Sequence, residues 1–485
     1  MINCIFCSTL ASIYVLNFFI LTFNIFFILV FSSKFFSYQN SSPNTKNPRI
    51  FPKILVNCTI GSMAQACPAN HPATSVTGKL SAEACPEYFR WIHEDLRPWK
   101  RTGISRFAVE SAKGDADFRL VIVNGKAYVE QYKKSFQTRD LFTMWGILQL
   151  LKLYPNRLPD LDLMFQCDDR PVIQKRDYRG FRSPPALFRY SKDDLTYDIV
   201  FPDWTFWGWA ETNVKPWRSI LEEIKEGNKR IEWRDRVPYA YWRGSPYVAP
   251  TRVDLLKCNV SEREDWNVRL YSQNWEKGSN GGFKNSNLAD QCTHRYKIYV
   301  EGWGWSVSEK YILACDSMTL LIKPYHHDFF TRSMVPLLHY WPIRPRNKCR
   351  DLKFAVEWGN THPEKAQEIG KAGSNFIHEE LKMDFVYDYM FHLLNEYSKL
   401  LKFKPAVPPG AVELCLETVD CSADVVLQKF VMESMVTSPS DSAPCSMPPP
   451  YSPEALRAFL NKKENLTRQV EMWGDAYWEN QKKQL

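Results

Sequence analysis

Charge is missing from the start of this chain, where positions 10–31 contain no Asp, Glu, Lys or Arg. A helix rises about 1.5 Å per residue, so the run spans about 33 Å, enough for the apolar core of a bilayer. That excludes an ordinary solvated segment and leaves a membrane anchor or an unusually long signal peptide. The lack of a clear small-residue cleavage site favours the anchor. Cations are also absent before the run, the nearest being Lys34 and Lys46 after it. Loop charge therefore gives no orientation. The 13 cysteines lack metal-like spacing, so they read as disulfides plus at least one free thiol in an oxidising compartment. No internal repeat is evident, which sets aside repeat arrays. Strong charge of one sign is lacking too: +8 over 485 residues is mild and mixed, and nucleic acid is not the favoured partner.

What is present is length, apolar content and aromatic rings: 45% hydrophobic, 14% aromatic, 17 Trp. That is ample chain for two or three domains. Tryptophan suits the C–H faces of sugars, although most Trp in any protein is packing. Four Asn-x-Ser/Thr sequons, at Asn40, Asn57, Asn259 and Asn465, are N-glycosylation acceptors if the body is translocated. Residues 1–33 are expected to form the anchor and 34–84 a Ser-, Asn- and Pro-rich stem. Helix and strand patterns alternate over 85–230 and again over 231–401. Residues 402–485 read as an extension with a Ser/Pro-rich linker and a charged terminal helix. Leu141, Trp145 and Leu148 have helical spacing, Leu161, Leu163 and Phe165 alternate as a strand, and Met318 to Ile322 reads as an apolar strand. Such alternation predicts α/β layers with parallel sheets, in two domains facing a cleft.

Three segments carry chemistry. The run Leu161 to Pro171, LDLMFQCDDRP, ends an apolar strand in two carboxylates and a cation. Ligands collect at the carboxyl ends of strands in open α/β sheets, so Asp168 and Asp169 stand where a base would. A capped strand end with a surface Asp–Arg pair is the plainer reading. In Tyr241 to Arg252, YWRGSPYVAPTR, a strand runs into Gly-Ser, and Arg243 and Arg252 could hold a diphosphate through forked bonds. In Glu301 to Ser306, EGWGWS, glycines precede a helical stretch and permit close backbone approach to a phosphate. The full dinucleotide fingerprint is absent.

Taken in order, CDDRP, PDWTFWGW, YWRGS, YKIYVEGWGWSVSEKYILACDS and GSNFIHEEL resemble the Rumi-type protein O-glucosyltransferases, glycosyltransferase family 90. The resemblance covers residues 85–401. It implies a GT-B-like fold, two Rossmann-like domains with the donor in the carboxyl-terminal one, and an inverting, metal-independent transfer from a UDP-sugar. By motif position Asp169 matches the catalytic base. Ser245 and Arg252 match donor-binding residues, and Glu301, Gly302, Trp303, Gly304, Trp305 and Ser306 match the loop around the nucleotide sugar. Trp204, Trp207 and Trp209 fall in the acceptor-side segment, and Cys292 and Cys315 match a family disulfide. The chain departs from the family in three places. Asp168 stands where the animal enzymes have Arg, one residue is inserted between Ser245 and Arg252, and the segment after Trp207 is shorter. The acceptor is thus a protein or a glycan, with glucose or xylose as the expected sugar. A single-pass Golgi or endoplasmic-reticulum protein with a lumenal body is expected.

Rival readings fit less well. A metal-dependent GT-A enzyme needs Asp-x-Asp after its strand, whereas Asp115-Ala116-Asp117 and Asp160-Leu161-Asp162 come before theirs. His326-His327-Asp328 reads as a solvated loop rather than a metal site. Adjacent Asp168 and Asp169 cannot flank a sugar as glycoside hydrolysis requires. A catalytically lapsed, lectin-like lumenal protein is the non-enzymatic alternative.

Overall fold

The structure, a computed structural model, describes residues 83–484 apart from 179–182, 276–277, 279–282, 284–286, 417–418 and 420–424. The expected anchor, Asn40 and Asn57 lie outside the described residues. Among those described, no helix is long and apolar enough to cross a membrane.

The first sheet begins with β1 (Phe118–Val123) and β2 (Lys126–Gln131), joined at Asn124 and Gly125. Both turn residues have positive φ, the backbone that a two-residue hairpin requires and that Asn-Gly adopts readily. β3 (Leu161–Phe165) runs antiparallel to β1, and β4 (Phe188–Arg189) and β5 (Ile199–Val200) continue parallel to it. The second sheet contains β6 (Val237–Gly244), β7 (Val268–Ser272), β8 (His294–Tyr299), β9 (Met318–Ile322) and β10 (Trp341–Ile343), every neighbour parallel. Its order is β10-β9-β8-β6-β7. A last strand, β11 (Val412–Leu414), returns to the edge of the first sheet beside β2. Parallel sheets were thus correctly expected for the second half only. The first sheet is mixed, because a tight hairpin builds β1 and β2 where a parallel sheet needs a crossover.

Alternation over β3 predicts one buried face, yet both are buried. Asp162 is the reason: Arg119 on β1 donates to both its carboxylate oxygens, at 2.7 and 2.6 Å, so the charge is matched within the core. Phe118, Phe165 and Phe188 stack across three strands. The helix Arg139–Leu153 packs into this first core, and so does the helix Met383–Ser398, which the chain supplies after the second sheet. Under the second sheet, Trp242, Ile298, Leu320 and Trp341 meet the helix Lys348–Thr361. The terminal helix Pro453–Gln484 lies on this half, with Val470 buried in its core and Trp473 beside Trp341.

Cys85–Cys445, Cys258–Cys349 and Cys292–Cys315 are disulfides, Cys415 is also bonded, and Cys167 is a buried free thiol. His392 stands beside the first bridge and interacts with the carbonyl of Cys445, but the two joined sulfurs are no longer metal ligands. The Cys85–Cys445 link closes the longest of these loops, 360 residues in sequence separation. Its removal in a Cys85→Ala/Cys445→Ala variant should cost about 2–4 kcal/mol. Thermal unfolding under non-oxidising and oxidising conditions checks this; an unchanged melting temperature sinks it.

Candidate active site

In the second sheet the strand order reverses between β6 and β8, which lie side by side while the chain proceeds outward in opposite directions from them. The crevice beyond the carboxyl ends of such a pair is where open α/β sheets hold their ligands. Ser245 follows β6 and Glu301 to Ser306 follow β8, so two of the three chemistry-bearing segments converge at this reversal.

Arg252 ties them together. Buried in the helix Pro250–Leu255, it donates from Nε to the Glu301 carbonyl at 3.0 Å and from Nη1 to the Ser245 carbonyl at 3.2 Å. Nη2 reaches the Val300 carbonyl at 3.3 Å and Ser306 Oγ at 2.9 Å. Only one Nη1 hydrogen is left to face a ligand. The expectation of a fork on a diphosphate is therefore modified: most of the fork shapes the loop itself. Burial pulls the guanidinium down from its ordinary pKa, with neighbouring Tyr299, Asp169 and Glu301 opposing. Arg243, by contrast, donates through Nε to the Tyr241 hydroxyl at 3.0 Å.

Glu301 is buried and its Oε2 accepts the backbone N–H of Tyr325, at 2.9 Å, and of His326, at 3.2 Å, with the His326 ring at 3.1 Å. The segment His326 to Asp328 is accordingly not the solvated loop expected of it. Asp328 is buried, where it accepts the N–H of Phe330 and Thr331. Desolvation pushes its carboxyl up to about 6.

The third segment comes from the other half. Asp169 lies just past β3, one-third exposed, with Oδ1 accepting from Arg139 Nη1 at 2.8 Å. Oδ2 accepts no hydrogen bond among the described residues. Arg139 also donates to the Cys167 carbonyl and stacks on the Trp204 ring, 4.3 Å from its centroid. The neighbouring Asp168 is exposed, and its carbonyl accepts from Arg189. Asp169 and the loop after β8 are in direct contact, since a Cβ on Gly304 would collide with the Asp169 carbonyl. Only glycine permits this approach. Beside it, Arg170 donates to the Trp303 carbonyl at 2.9 Å and stacks on its ring at 3.6 Å. Trp305 is buried against Tyr190 and Trp204 of the first half. Lys310, in the six-residue helix Ser308–Leu313, donates to Asp203 at 3.1 Å and Thr205 at 2.7 Å. That helix is too short for its dipole to count for much.

Trp204 and Trp207 are buried; Trp207 donates to the Tyr387 hydroxyl at 3.0 Å. Both rings are core, and Trp204 also supports Arg139. Trp209 is half-buried, donates to Gln137 at 2.8 Å and lies near exposed Trp275. Asn465 is exposed, whereas Asn259 is half-buried with its Oδ1 on the Leu270 N–H. Arg139 was missed by sequence reasoning. It sits 30 positions before its carboxylate, and nothing local marks a helix-start arginine as its partner.

This arrangement sets a partly exposed carboxylate, one oxygen fixed and one free, against a glycine-bearing loop at a ligand-binding reversal. Comparison with known proteins agrees. The profile of glycosyl transferase family 90 matches residues 80–474. Protein O-glucosyltransferase 1 of Rattus norvegicus is 28% identical over 337 residues, covering 67% of this chain and 82% of that protein. Its Homo sapiens counterpart is 27% identical over the same shares. O-glucosyltransferase rumi of Drosophila melanogaster is 24% identical over 336 residues, 66% of this chain and 78% of that protein. The chain is a glycosyltransferase and belongs to glycosyl transferase family 90.

Proposed function

We propose that this chain is an inverting transferase that moves a sugar, glucose or xylose first among candidates, from a UDP-sugar to a hydroxyl of a protein or glycan. The observation that carries the reading is the contact of Asp169 with the Gly304 loop, which brings a base against a nucleotide-sugar crevice from the opposite half. In this reading the fold is GT-B-like. The half built on β6–β10 takes the donor, and the half built on β1–β5 carries the base. Oδ2 of Asp169 accepts the acceptor's proton as its oxygen bonds to the anomeric carbon. The acceptor oxygen attacks the face opposite UDP, which leaves with the electron pair of the old bond, so configuration inverts. Ser245 and the Glu301 to Ser306 backbone hold the donor, and no metal is required. Trp209 and its neighbourhood face the acceptor. The disulfides suit an oxidising lumen, and residues 1–33 would anchor the body to the Golgi or endoplasmic-reticulum membrane.

A panel of UDP-sugars supplied to the purified body should give transfer or hydrolysis with one donor, undiminished by chelator. Absence of turnover with every donor sinks the reading, and a strict Mn²⁺ requirement removes the metal-independent mechanism.

A further inference from the structure

A second cavity of about 820 Å³ lies beyond the carboxyl ends of β9 and β10, where Leu321, Lys323 and Ile343 line it. None of the residues assigned above to donor, base or acceptor lines it. Two of its lining residues directly follow residues that touch the reaction centre. Ser191 donates to the Asp169 carbonyl, and the next residue, Lys192, lines the cavity; His326 contacts Glu301, and His327 lines it. The far wall is one stripe of the terminal helix, Leu460, Lys463, Glu464, Thr467 and Glu471, spaced as one helical face.

Two features describe its ligand. Acidic and basic side chains line it in equal number, and Asp95 within it is already matched by Arg332 and Lys192. With the Glu309 carboxyl shifted upward by burial, the lining carries at most one positive charge in excess, so a strongly charged ligand finds little opposite charge. Among the walls are Tyr197, Tyr340 and four prolines, flat apolar faces interleaved with polar groups. Buried within the lining, Glu309 is 3% exposed, and among the described residues neither its Oε1 nor Arg332 Nε has a hydrogen-bond partner. Buried polar groups without partners are uncommon. Volumes of about 300–1,000 Å³ are those of small-molecule sites.

We propose that this cavity binds a neutral carbohydrate chain, the part of a glycan acceptor remote from the hydroxyl that reacts at Asp169. The proposal rests on the transferase reading for its purpose, but binding is a property of the cavity alone. Burial, with Asp328 next, holds the Glu309 carboxyl well above the usual range.

The test is saturation-transfer NMR of the whole body with a panel of uncharged hexose and pentose oligosaccharides and, beside it, anionic glycans. At least one should bind, with and without UDP. Leu460→Trp, on an accessible helix surface, should fill the cavity and weaken that binding at least about tenfold, whereas Lys462→Trp on the same helix should not. UDP affinity should be equal in all three proteins. No oligosaccharide binding, binding indifferent to Leu460→Trp, or binding confined to anionic glycans overturns the inference. Turnover without oligosaccharide binding removes this inference only. Oligosaccharide binding without turnover leaves the binding site standing and removes the transferase reading together with the acceptor role.

Discussion

Asp169→Asn should lower turnover about 10²–10⁴-fold while leaving UDP affinity at the parent value. Asn keeps the size and the hydrogen bond that Arg139 Nη1 makes to Oδ1, so the loop against Gly304 need not move. What it loses is a basic oxygen on the open side of the group. A neutral hydroxyl then has to attack without an acceptor for its proton, and the lost factor is that of general-base catalysis. Turnover and UDP calorimetry on the same preparation separate chemistry from binding. Normal turnover in Asp169→Asn would remove Asp169 from the mechanism, and lost UDP binding would mean that the substitution had disturbed the Gly304 contact instead. Asp168→Asn is the internal control: its side chain is exposed and it should be nearly silent.

The individual strands that carry this site were readable before the site was. β9 spans Met318–Ile322 as its apolar run predicts, and the helix Arg139–Leu153 contains the Leu141, Trp145 and Leu148 stripe. Periodicity reports burial of neighbours in sequence, so it finds elements well. It says nothing about which strand pairs with which. The antiparallel β1–β3 pairing, the return of β11 to the first sheet and the packing of Met383–Ser398 into the first core were accordingly illegible. The same limit applies to the site. Asp169, Ser245 and Glu301 each end a strand and were marked by that position, but their neighbours were not. Arg139 and Asp203–Lys310 are pairs far apart in sequence, visible only once the halves meet. Trp204 and Trp207, placed in the acceptor-side segment by their motif, are buried, since motif membership does not report exposure. Trp204 packs against the Arg139 that holds the base, and Trp207 packs against Gly146 and Tyr387.

Arg252 allows the organisation of the donor loop to be tested separately from its chemistry. Its side chain binds the carbonyls of Ser245, Val300 and Glu301 and the hydroxyl of Ser306. Arg252→Ala leaves those acceptors without their cation in a buried place, and each charge-assisted hydrogen bond is worth about 1.5–3 kcal/mol. Even if a single such bond's worth reaches the bound state, UDP affinity falls about 10- to 150-fold, and combining the change with Ser245→Ala should weaken it further. Arg252→Lys separates two explanations of that loss. An ammonium keeps the positive charge but cannot span acceptors on both sides of the crevice as a planar fork does. If the fork's geometry organises the loop, Lys should bind UDP nearly as poorly as Ala, and both variants should melt earlier than the parent. If Arg252→Lys binds UDP as the parent does, charge at the crevice is what matters and the organising role fails. If Arg252→Ala itself binds UDP normally, the donor site lies away from the β6–β8 reversal altogether.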